Sequence, residues 1–512
     1  MLYYENEHGR LYHGDCLDVL KTIEDNSVVS CITDPPYALD MMGKAWDKVL
    51  PSIEIWKEVY RVLKPGAFCL VFGGTRTYHR LACSVEDAGF KIVDCMMWNY
   101  GGGFPKAFDI SKGIDKEKGI KHPTNLPLSE NRSMGGANYS RNKMDVVSEE
   151  AKKWQGYKTA LKPAYEPILV SIKPVEKNYV YNALTYGVAG LNIEGGKIGQ
   201  ETIPAQNRGE AVNTAFASGG HTPEHQGRFP ANFILQHRPE CVYQGTKKIK
   251  GAKGEADYTP SEKGNPVSLP RNVKTGAHHA DENGLETVED WVCHPDCPVK
   301  ILDEQSGYSE SKSMLHEPDK GGTGKTLTFA HKESEIRGHD DAGGASRFFY
   351  TAKASVAERN LGCEDLYWIR EKNGYRMVEF DEWFRSPVEK RLQGNVHPTV
   401  KPVKILEYLA KLTRMPDGGV VLDPFAGSSS TALACIKTDR PFIMVERDET
   451  SCEISKRRIE RQSARHSVES VEQMNLWEMS DLPEEDAKEL AEEFGVKEMK
   501  EWTLYDCISE GE

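Results

Sequence analysis

The sequence has no apolar run that approaches the roughly 18 residues of a membrane span. Its first twenty residues carry mixed charges and no apolar core of a signal peptide, so we expect neither membrane insertion nor export. The 12 cysteines among 512 residues are too few and too dispersed for a secreted disulfide framework. We therefore expect reduced thiols and a cytoplasmic location.

The chain also lacks the basic excess that is typical of nucleic-acid-binding proteins, since its formal net charge is −13. The acidic excess is concentrated in residues 465–512, which contain fifteen acidic and four basic residues. The chain before this tail is close to neutral, so DNA binding would depend on a local basic groove and not on a positive overall charge. Overall charge therefore excludes little.

Strand-like and helix-like segments alternate in two parts of the chain, before residue 175 and after residue 395. This alternation predicts an α/β fold with a mainly parallel sheet and helices on both faces. The sequence between these two parts is rich in Gly, Asn and His and has no sustained hydrophobic periodicity. We expect four regions: one sheet half at 1–175, an inserted irregular lobe at 176–394, the other sheet half at 395–464 and an acidic tail at 465–512.

The segment "GGVVLDPFAGSSSTALA" predicts a strand that ends at Asp423, a turn at Gly427 and a helix. Glu446 ends the next strand, nineteen positions after Gly427, the spacing at which an acid binds the ribose of an adenosine cofactor. A full G-x-G-x-x-G is missing, which favours a positively charged nucleoside without phosphates. The alternative is an ordinary strand–turn–helix unit.

The segment "SCITDPPYALD" places an acid, two prolines and a tyrosine directly after a short buried strand. Asp34 and the carbonyl of Pro35 can both accept hydrogen bonds from an exocyclic NH₂ group, which frees the lone pair of its nitrogen. The prolines fix the backbone, and Tyr37 offers a ring on which an extruded base can stack. The alternative is a proline-rich turn in which Asp34 caps a helix and Tyr37 packs.

Together, the two motifs resemble the DNA amino-methyltransferases, which use S-adenosylmethionine to methylate adenine N6 or cytosine N4. The order, with D-P-P-Y before "DPFAGS", is similar to the permuted β group of that family. The resemblance covers about residues 10–175 and 395–460. It implies a Rossmann-like, mostly parallel sheet with one reversed strand, circularly permuted, and a target-recognition region between the halves. It also implies double-stranded DNA as substrate, and it allows a homodimer and a companion restriction nuclease.

Three further blocks carry the resemblance: "YHGDCLDVL" for the cofactor adenine, "HPTVKP" (397–402) for its methionine end, and "ALKPAYEP" (160–167) for the target-base pocket. One departure is Ser429, because the family usually has Gly-Ser-Gly where this chain has Gly427-Ser428-Ser429. The resemblance implies catalytic roles for Asp34, Pro35, Pro36 and Tyr37, and cofactor binding by Asp15, Cys16, His397, Thr399, Lys401, Asp423, Pro424, Phe425, Gly427, Ser428 and Glu446.

The D-P-P-Y form occurs with both target bases and favours adenine. A carbon-5 cytosine enzyme is disfavoured, because such enzymes need a cysteine nucleophile and the chain has no Pro-Cys dipeptide. We expect direct in-line methyl transfer without a metal. An RNA or protein amine methyltransferase and an inactive DNA-binding module remain as alternatives, although the intact Asp34 and Tyr37 argue against the latter.

Two pairs of metal-ligand residues lie in the inserted lobe, in "LQHRPECVY" and "WVCHPDCPV". His237 and Cys241, like Cys293 and Cys297, are separated by three residues, a spacing compatible with a structural zinc site. The alternative is four reduced residues in loops, with His294 as a competing ligand.

Two other segments of the lobe look functional. "KGGTGKTLT" (320–328) lacks the first glycine of a phosphate-binding loop, because Asp319 stands there, so we expect a plain loop. "GGASRFFYTAKAS" interleaves basic and aromatic residues, which predicts either DNA contacts or an amphipathic strand with its aromatics packed inward. Its candidate contact residues are Arg347, Phe348, Phe349, Tyr350 and Lys353.

Overall fold

The computed structural model describes residues 1–39, 48–100, 107–120, 146–203, 206–207, 221–222, 225–250, 285–306, 309–310, 314–316, 335–337, 342–343, 345–353, 356–371 and 374–480. The segment 320–328 and the end of the acidic tail from residue 481 lie outside this part of the chain. Residues before 175 form strands β1 (Leu2–Asn6), β2 (Gly9–His13), β3 (Val28–Thr33), β4 (Leu63–Phe72), β5 (Lys91–Asn99) and β6 (Tyr165–Ile172), and helices α1 (Cys16–Leu20), α2 (Ile53–Val62), α3 (Tyr78–Asp87), α4 (Ile110–Glu117) and α5 (Glu149–Lys153).

The middle region contributes short elements, and the last part of the chain longer ones. The middle region forms α6 (Tyr179–Tyr186), β7 (Ile198–Ile203), β8 (Gln206–Asn207), β9 (His221–Thr222), β10 (His225–Arg228), β11 (Phe233–His237), β12 (Val242–Lys250), β13 (Leu285–Val292), α7 (Pro298–Ser306), β14 (Ser309–Glu310), β15 (Met314–His316), β16 (Glu335–Arg337), β17 (Ala342–Gly343), β18 (Tyr350–Lys353), α8 (Val356–Asn360), β19 (Tyr367–Glu371), β20 (Gly374–Val378), α9 (Phe380–Arg385) and β21 (Arg391–Gln393). After it come α10 (Val403–Leu412), β22 (Val421–Asp423), α11 (Ser430–Lys437), β23 (Phe442–Glu446) and α12 (Glu449–Ser480).

Ten strands form one sheet in the order β1-β2-β23-β22-β3-β4-β6-β5-β11-β18. Strands β2, β23, β22, β3 and β4 run parallel to one another. Strand β6 runs antiparallel to both neighbours, β4 and β5, and β1 is antiparallel to β2. The predicted α/β, Rossmann-like sheet with a reversed strand is therefore confirmed, with a second reversed strand at its edge.

Helices cover both faces of this sheet because its central strands are apolar on both sides. On β3 and β4, Ile32 and Leu70 belong to a buried cluster with Leu406 of α10 and Leu433 of α11. Their neighbours Cys31 and Cys69 face the opposite cluster, with Trp56 of α2 and Val85 of α3. The strands thus end between two helical layers, and their loops project from the edge of the sheet.

Residues 176–394 are not wholly separate from this sheet. Strands β11 and β18 extend it beyond β5 in parallel orientation, and their short lengths explain why no periodicity marked them. The remaining strands of the region form small sheets of two or three strands. Helix α12 also runs past residue 465, where we expected the acidic tail to begin. Within the described residues, no helix is both long enough and apolar enough to cross a membrane.

Candidate active site

The carboxyl ends of β3 and β22 lie side by side, because the two strands pair in parallel. The hydroxyl of Thr33 donates to Asp423 Oδ1 at 2.6 Å, and the hydroxyl of Thr431 donates to Asp423 Oδ2 at 2.7 Å. Burial raises the pKa of Asp423 to about 6, although these hydrogen bonds oppose the shift. Asp423 therefore links the end of β3, which precedes the D-P-P-Y motif, to the start of the "DPFAGS" turn.

Asp34 lies at this junction in a compact polar cluster. Lys401 Nζ donates to Asp34 Oδ2 at 2.5 Å, and the hydroxyl of Tyr37 lies 2.6 Å from Asp34 Oδ1. A second carboxylate, Glu166 at the start of β6, lies 3.0 Å from the Tyr37 hydroxyl and 3.3 Å from Lys401 Nζ. Three aromatic ring centroids lie between 5.3 and 5.8 Å from this ammonium: those of Tyr37, Phe72 and Trp98.

The cluster has one cation and two carboxyl groups with little solvent. Burial favours neutral Lys401, but Asp34 and Glu166 outweigh that effect and raise the pKa of Lys401. Burial also raises the pKa of Glu166, with a further contribution from the charge of Asp34. The ammonium therefore stays charged, and Glu166 accepts a proton more readily than an exposed glutamate would.

Local contacts fix the D-P-P-Y corner. The hydroxyl of Thr77 donates to the carbonyl of Tyr37 at 2.7 Å. A Cβ atom on Gly74 would come within 3.2 Å of the Tyr37 ring, so the glycine makes room for that side chain. Ala38 follows with a φ of 56°, a left-handed conformation that turns the chain away from the strand. The corner therefore holds its carboxylate and ring at the edge of the sheet.

Gly427 makes the turn after β22 with a φ of 57°, and a Cβ atom there would lie 3.1 Å from the His397 ring. Its amide donates to Glu446 Oε2 at 2.8 Å, while the amides of Arg447 and Asp448 donate to Oε1 at 2.9 and 2.7 Å. Burial nevertheless raises the pKa of Glu446 to about 7. The turn thus places Gly427 between an acid and an imidazole.

Arg458 of α12 forms hydrogen bonds with the serines that follow Gly427. Its Nη1 donates to the hydroxyls of Ser428 and Ser430 at 3.0 and 3.1 Å. Burial lowers its pKa to about 10. Ser429, between these serines, has a left-handed φ of 56°, and its buried hydroxyl has no partner among the described residues. The usual glycine of the family at this position thus has a physical reason.

Other residues implied by the resemblance lie on segments next to this turn. Asp15 caps α1 through the Leu17 amide at 3.0 Å, and the neighbouring Gly14 amide donates to the carbonyl of Glu446 at 2.9 Å. Four more implied residues lie on the adjoining segments. The buried Cys16 packs with Phe425, Pro424 is buried, and Thr399 donates its amide to Nδ1 of His397 at 3.4 Å.

Two features of the cluster differ from what the sequence indicates. Lys401 belongs to the block expected at the methionine end of the cofactor, yet its ammonium binds Asp34. Glu166 was contained in the "ALKPAYEP" block but not singled out. The available signal was its charge, because an acid directly before the buried run "PILVSI" needs a partner. Arg458 gave no such signal, since it lies in a helix rich in charged residues.

The lobe residues are also assembled. His237, Cys241, Cys293 and Cys297 present ligand atoms that all lie within 4.8 Å of one another. In "GGASRFFYTAKAS", Phe349 packs on Phe233, and Tyr350 stacks on Tyr408 with ring centroids 4.3 Å apart. The Arg347 side chain is buried near Glu286. The alternative with inward packing therefore describes these residues better than DNA contact.

Comparison with known families gives one extended match. The family model described as DNA methylase matches residues 28–457, a range that contains both strand-end motifs. Among individual proteins, the chain is 26% identical over 197 residues to the type II methyltransferase M.HinfI of Haemophilus influenzae, covering 31% of this chain and 55% of that protein. It is 24% identical over 249 residues to M2.LlaDCHI of Lactococcus lactis subsp. cremoris, covering 42% of this chain and 90% of that one.

Solved structures resemble the chain at low identity. A complex of M1.HpyAVI with SAM matches at 12% identity with a TM-score of 0.31, covering 88% of this chain and 98% of that one. The PvuII DNA methyltransferase, titled cytosine-N4-specific, matches at 12% identity with a TM-score of 0.34, covering 91% and 93%. The chain thus spans about half the length of M.HinfI and nearly all of the other relatives named here.

Proposed function

The chain belongs to the DNA methylase family, whose model matches residues 28–457, and on that basis we propose that it transfers a methyl group from S-adenosylmethionine to an exocyclic amine of double-stranded DNA. The observation that carries the proposal is the 2.6 Å hydrogen bond from Thr33 to Asp423. It holds the D-P-P-Y corner beside the glycine turn, so a methyl donor and an amine bound at these two places would meet. Such proximity supplies much of the acceleration of a transfer reaction.

The groups around the Gly427 turn suit a nucleoside that carries positive charge and no phosphates. Glu446 already accepts three amide hydrogen bonds, and a carboxylate has about four acceptor sites, which leaves one for a ribose hydroxyl. Burial lowers the pKa of His397 to about 4, so its ring is neutral and does not repel a cation. When bound, S-adenosylmethionine supplies an electrophilic methyl group on its sulfonium.

At the D-P-P-Y corner, the chain's own groups would activate the amine. The Asp34 carboxylate and the Pro35 carbonyl accept hydrogen bonds from the NH₂ group, which localises the lone pair on nitrogen. The carboxylate also stabilises the positive charge that develops during transfer. Tyr37, held by Thr77 at 2.7 Å, would stack on the extruded base. Water can take the proton that leaves afterwards.

We further propose adenine N6 as the target and residues 176–394 as the region that reads the DNA sequence. The D-P-P-Y form supports the first point through family resemblance. The second is supported by the pairing of β11 with β5, because β5 carries Trp98, whose ring lies 5.8 Å from the ammonium that contacts Asp34. Dimerisation and a companion nuclease stay predictions from the resemblance, as do the region boundaries.

The test is methyl transfer from radiolabelled S-adenosylmethionine to duplex DNA, with RNA and protein as competing substrates. We expect Asp34→Asn to lower the rate by about 100-fold or more while cofactor binding, measured by calorimetry, is kept. Asp18→Asn is the matched control, because that acid is exposed and pairs only with Lys21 in the described contacts. Digestion of the product DNA and mass spectrometry then identify the base.

Each outcome is decisive. N6-methyladenine in the product supports the full proposal, whereas N4-methylcytosine would correct the base and keep the reaction. Faster labelling of RNA or protein would replace DNA as the substrate. Cofactor binding without label in any acceptor would favour a binding module and refute the proposed transfer.

A further inference from the structure

We infer that His237, Cys241, Cys293 and Cys297 bind one structural zinc ion. Residues from two segments more than fifty positions apart converge so that their four ligand atoms lie within 4.8 Å of one another. Three of the four are buried, and none belongs to the candidate active site. Thiolate sulfur and imidazole nitrogen are the ligands that zinc prefers in closed tetrahedral sites.

The distances agree with a tetrahedron around one ion. With Zn–S bonds of about 2.3 Å and Zn–N bonds of about 2.1 Å, neighbouring ligand atoms are separated by about 3.5–3.8 Å. Nδ1 of His237 lies 3.4 Å from Sγ of Cys293 and 3.6 Å from Sγ of Cys297. Because four protein ligands complete such a tetrahedron, no position is left for a catalytic water, and the role is structural.

Contacts from neighbouring residues orient the four ligands. The backbone amide of His294 donates to Sγ of Cys241 at 3.4 Å, a contact of the kind that orients metal ligands. The competing ligand His294 is engaged elsewhere, because its Nδ1 accepts the Asp296 amide at 3.1 Å. His237 is also held in place by the Trp291 ring, which stacks on it with centroids 4.3 Å apart.

The position of the ligands explains what an ion would hold together. His237 ends β11 of the large sheet, Cys241 directly precedes β12, Cys293 directly follows β13, and Cys297 directly precedes α7. Among the residues that the structure describes, the apolar cluster at this point has four buried members, two of which are the cysteines Cys241 and Cys297. One ion would thus fasten the sheet edge, a hairpin and a helix where the apolar core is small.

The site also has a path to the candidate active site. Next to His237, the side-chain oxygen of Gln236 accepts a hydrogen bond of 2.8 Å from Trp98 Nε1. The Trp98 ring lies 5.8 Å from the ammonium of Lys401. Loss of the ion would therefore loosen β11 and, through Trp98, the wall around the catalytic carboxylate.

The test is the metal content of the full chain, purified without chelator and measured by elemental mass spectrometry. We expect about one zinc per chain in the wild type and a loss of about tenfold or more in Cys293→Ser and Cys297→Ser. Cys363→Ser is the matched control, because Cys363 is fully buried like Cys297 but lies outside the cluster. Replacement by Co²⁺ should give the intense visible absorption of a tetrahedral thiolate site.

A chelator experiment on the wild-type protein tests the inference without depending on whether the cysteine variants fold. Stripping the wild type should lower its thermal midpoint, and added Zn²⁺ should restore it whereas Mg²⁺ should not. Wild-type protein with no zinc and no tetrahedral Co²⁺ spectrum would overturn the inference. Zinc that remains in both cysteine variants at the level of the Cys363→Ser control would do the same, because the ion would then lie elsewhere.

Discussion

Replacing Lys401 by methionine tests the polar cluster most directly. The substitution keeps the length and apolar character of the side chain but leaves Asp34 and Glu166 as neighbouring carboxylates without their cation. The Lys401 side chain is 10% exposed and both acids are 21% exposed. Breaking a buried ion pair costs roughly 3–5 kcal/mol. Because the acids retain some solvent, we expect the lower end of that range, about 3 kcal/mol of unfolding free energy.

The loss should depend on pH, and the sign follows from Glu166. Burial raises the pKa of Glu166 and the charge of Lys401 opposes that shift, so without the ammonium the pKa of Glu166 in the folded state rises further above that in the unfolded chain. The folded state then binds more protons and loses stability as pH increases. The destabilisation by Lys401→Met should therefore be larger at about pH 8 than at about pH 5. Urea unfolding at both pH values measures it. The pH profile of the methyl-transfer rate should also change, since the cation that contacts Asp34 and Glu166 would be lost.

Two matched variants make this reasoning refutable. Lys404→Met changes an exposed lysine in α10, three residues after Lys401, and should have little effect. Lys401→Met combined with Glu166→Gln removes one of the stranded charges and should recover much of the lost stability. A Lys401→Met protein as stable as the Lys404→Met protein at both pH values, with an unchanged rate profile, would contradict the proposed cluster.

Three further predictions concern the glycine turn. Ser429→Gly should raise the unfolding free energy by about 1 kcal/mol, because it relieves a left-handed φ of 56°; equilibrium denaturation measures this, and no gain would argue against the strain. Gly427→Ala should weaken cofactor binding in calorimetry, since its Cβ would lie 3.1 Å from His397 at a φ of 57°; wild-type affinity would contradict this. His397 has a pKa lowered to about 4, against about 6.5 in an unfolded chain. Between about pH 4 and about pH 6.5 the unfolded state therefore binds more protons than the folded state, so the free energy of unfolding should fall as pH drops. His397→Gln should reduce this pH dependence in denaturation experiments.

The sequence predicted those parts of the site that depend on short local motifs. Asp34 and Asp423 each follow a short buried strand before a turn, and residues at the carboxyl ends of parallel strands meet at one edge of a sheet. The hydrogen bond between Thr33 and Asp423 spans 390 positions, yet two strand-end motifs were enough to anticipate that these ends meet. The sheet class followed in the same way from the alternation of strands and helices.

What the sequence could not predict depends on packing between distant segments. The contact from Lys401 to Asp34 spans 367 positions and is set by how α10 packs against the sheet, not by the spacing of any motif. Strand β18 has four residues, and β11 has five. Strands of that length leave almost no alternation to detect. Their place in the large sheet is determined by the pairing of β11 with β5 and of β18 with β11.

The Lys401 contact also bears on how Asp34 would act. A carboxylate near an amine could accept its proton or only its hydrogen bonds, and the two roles need different basicities. In this cluster Oδ2 of Asp34 faces an ammonium at 2.5 Å and Oδ1 faces a tyrosine hydroxyl at 2.6 Å. Each oxygen of Asp34 thus has one close polar neighbour and keeps a lone pair for the substrate. Asp34 in the proposed reaction is therefore a hydrogen-bond acceptor that orients the amine, and the proton leaves to water after the methyl group has moved.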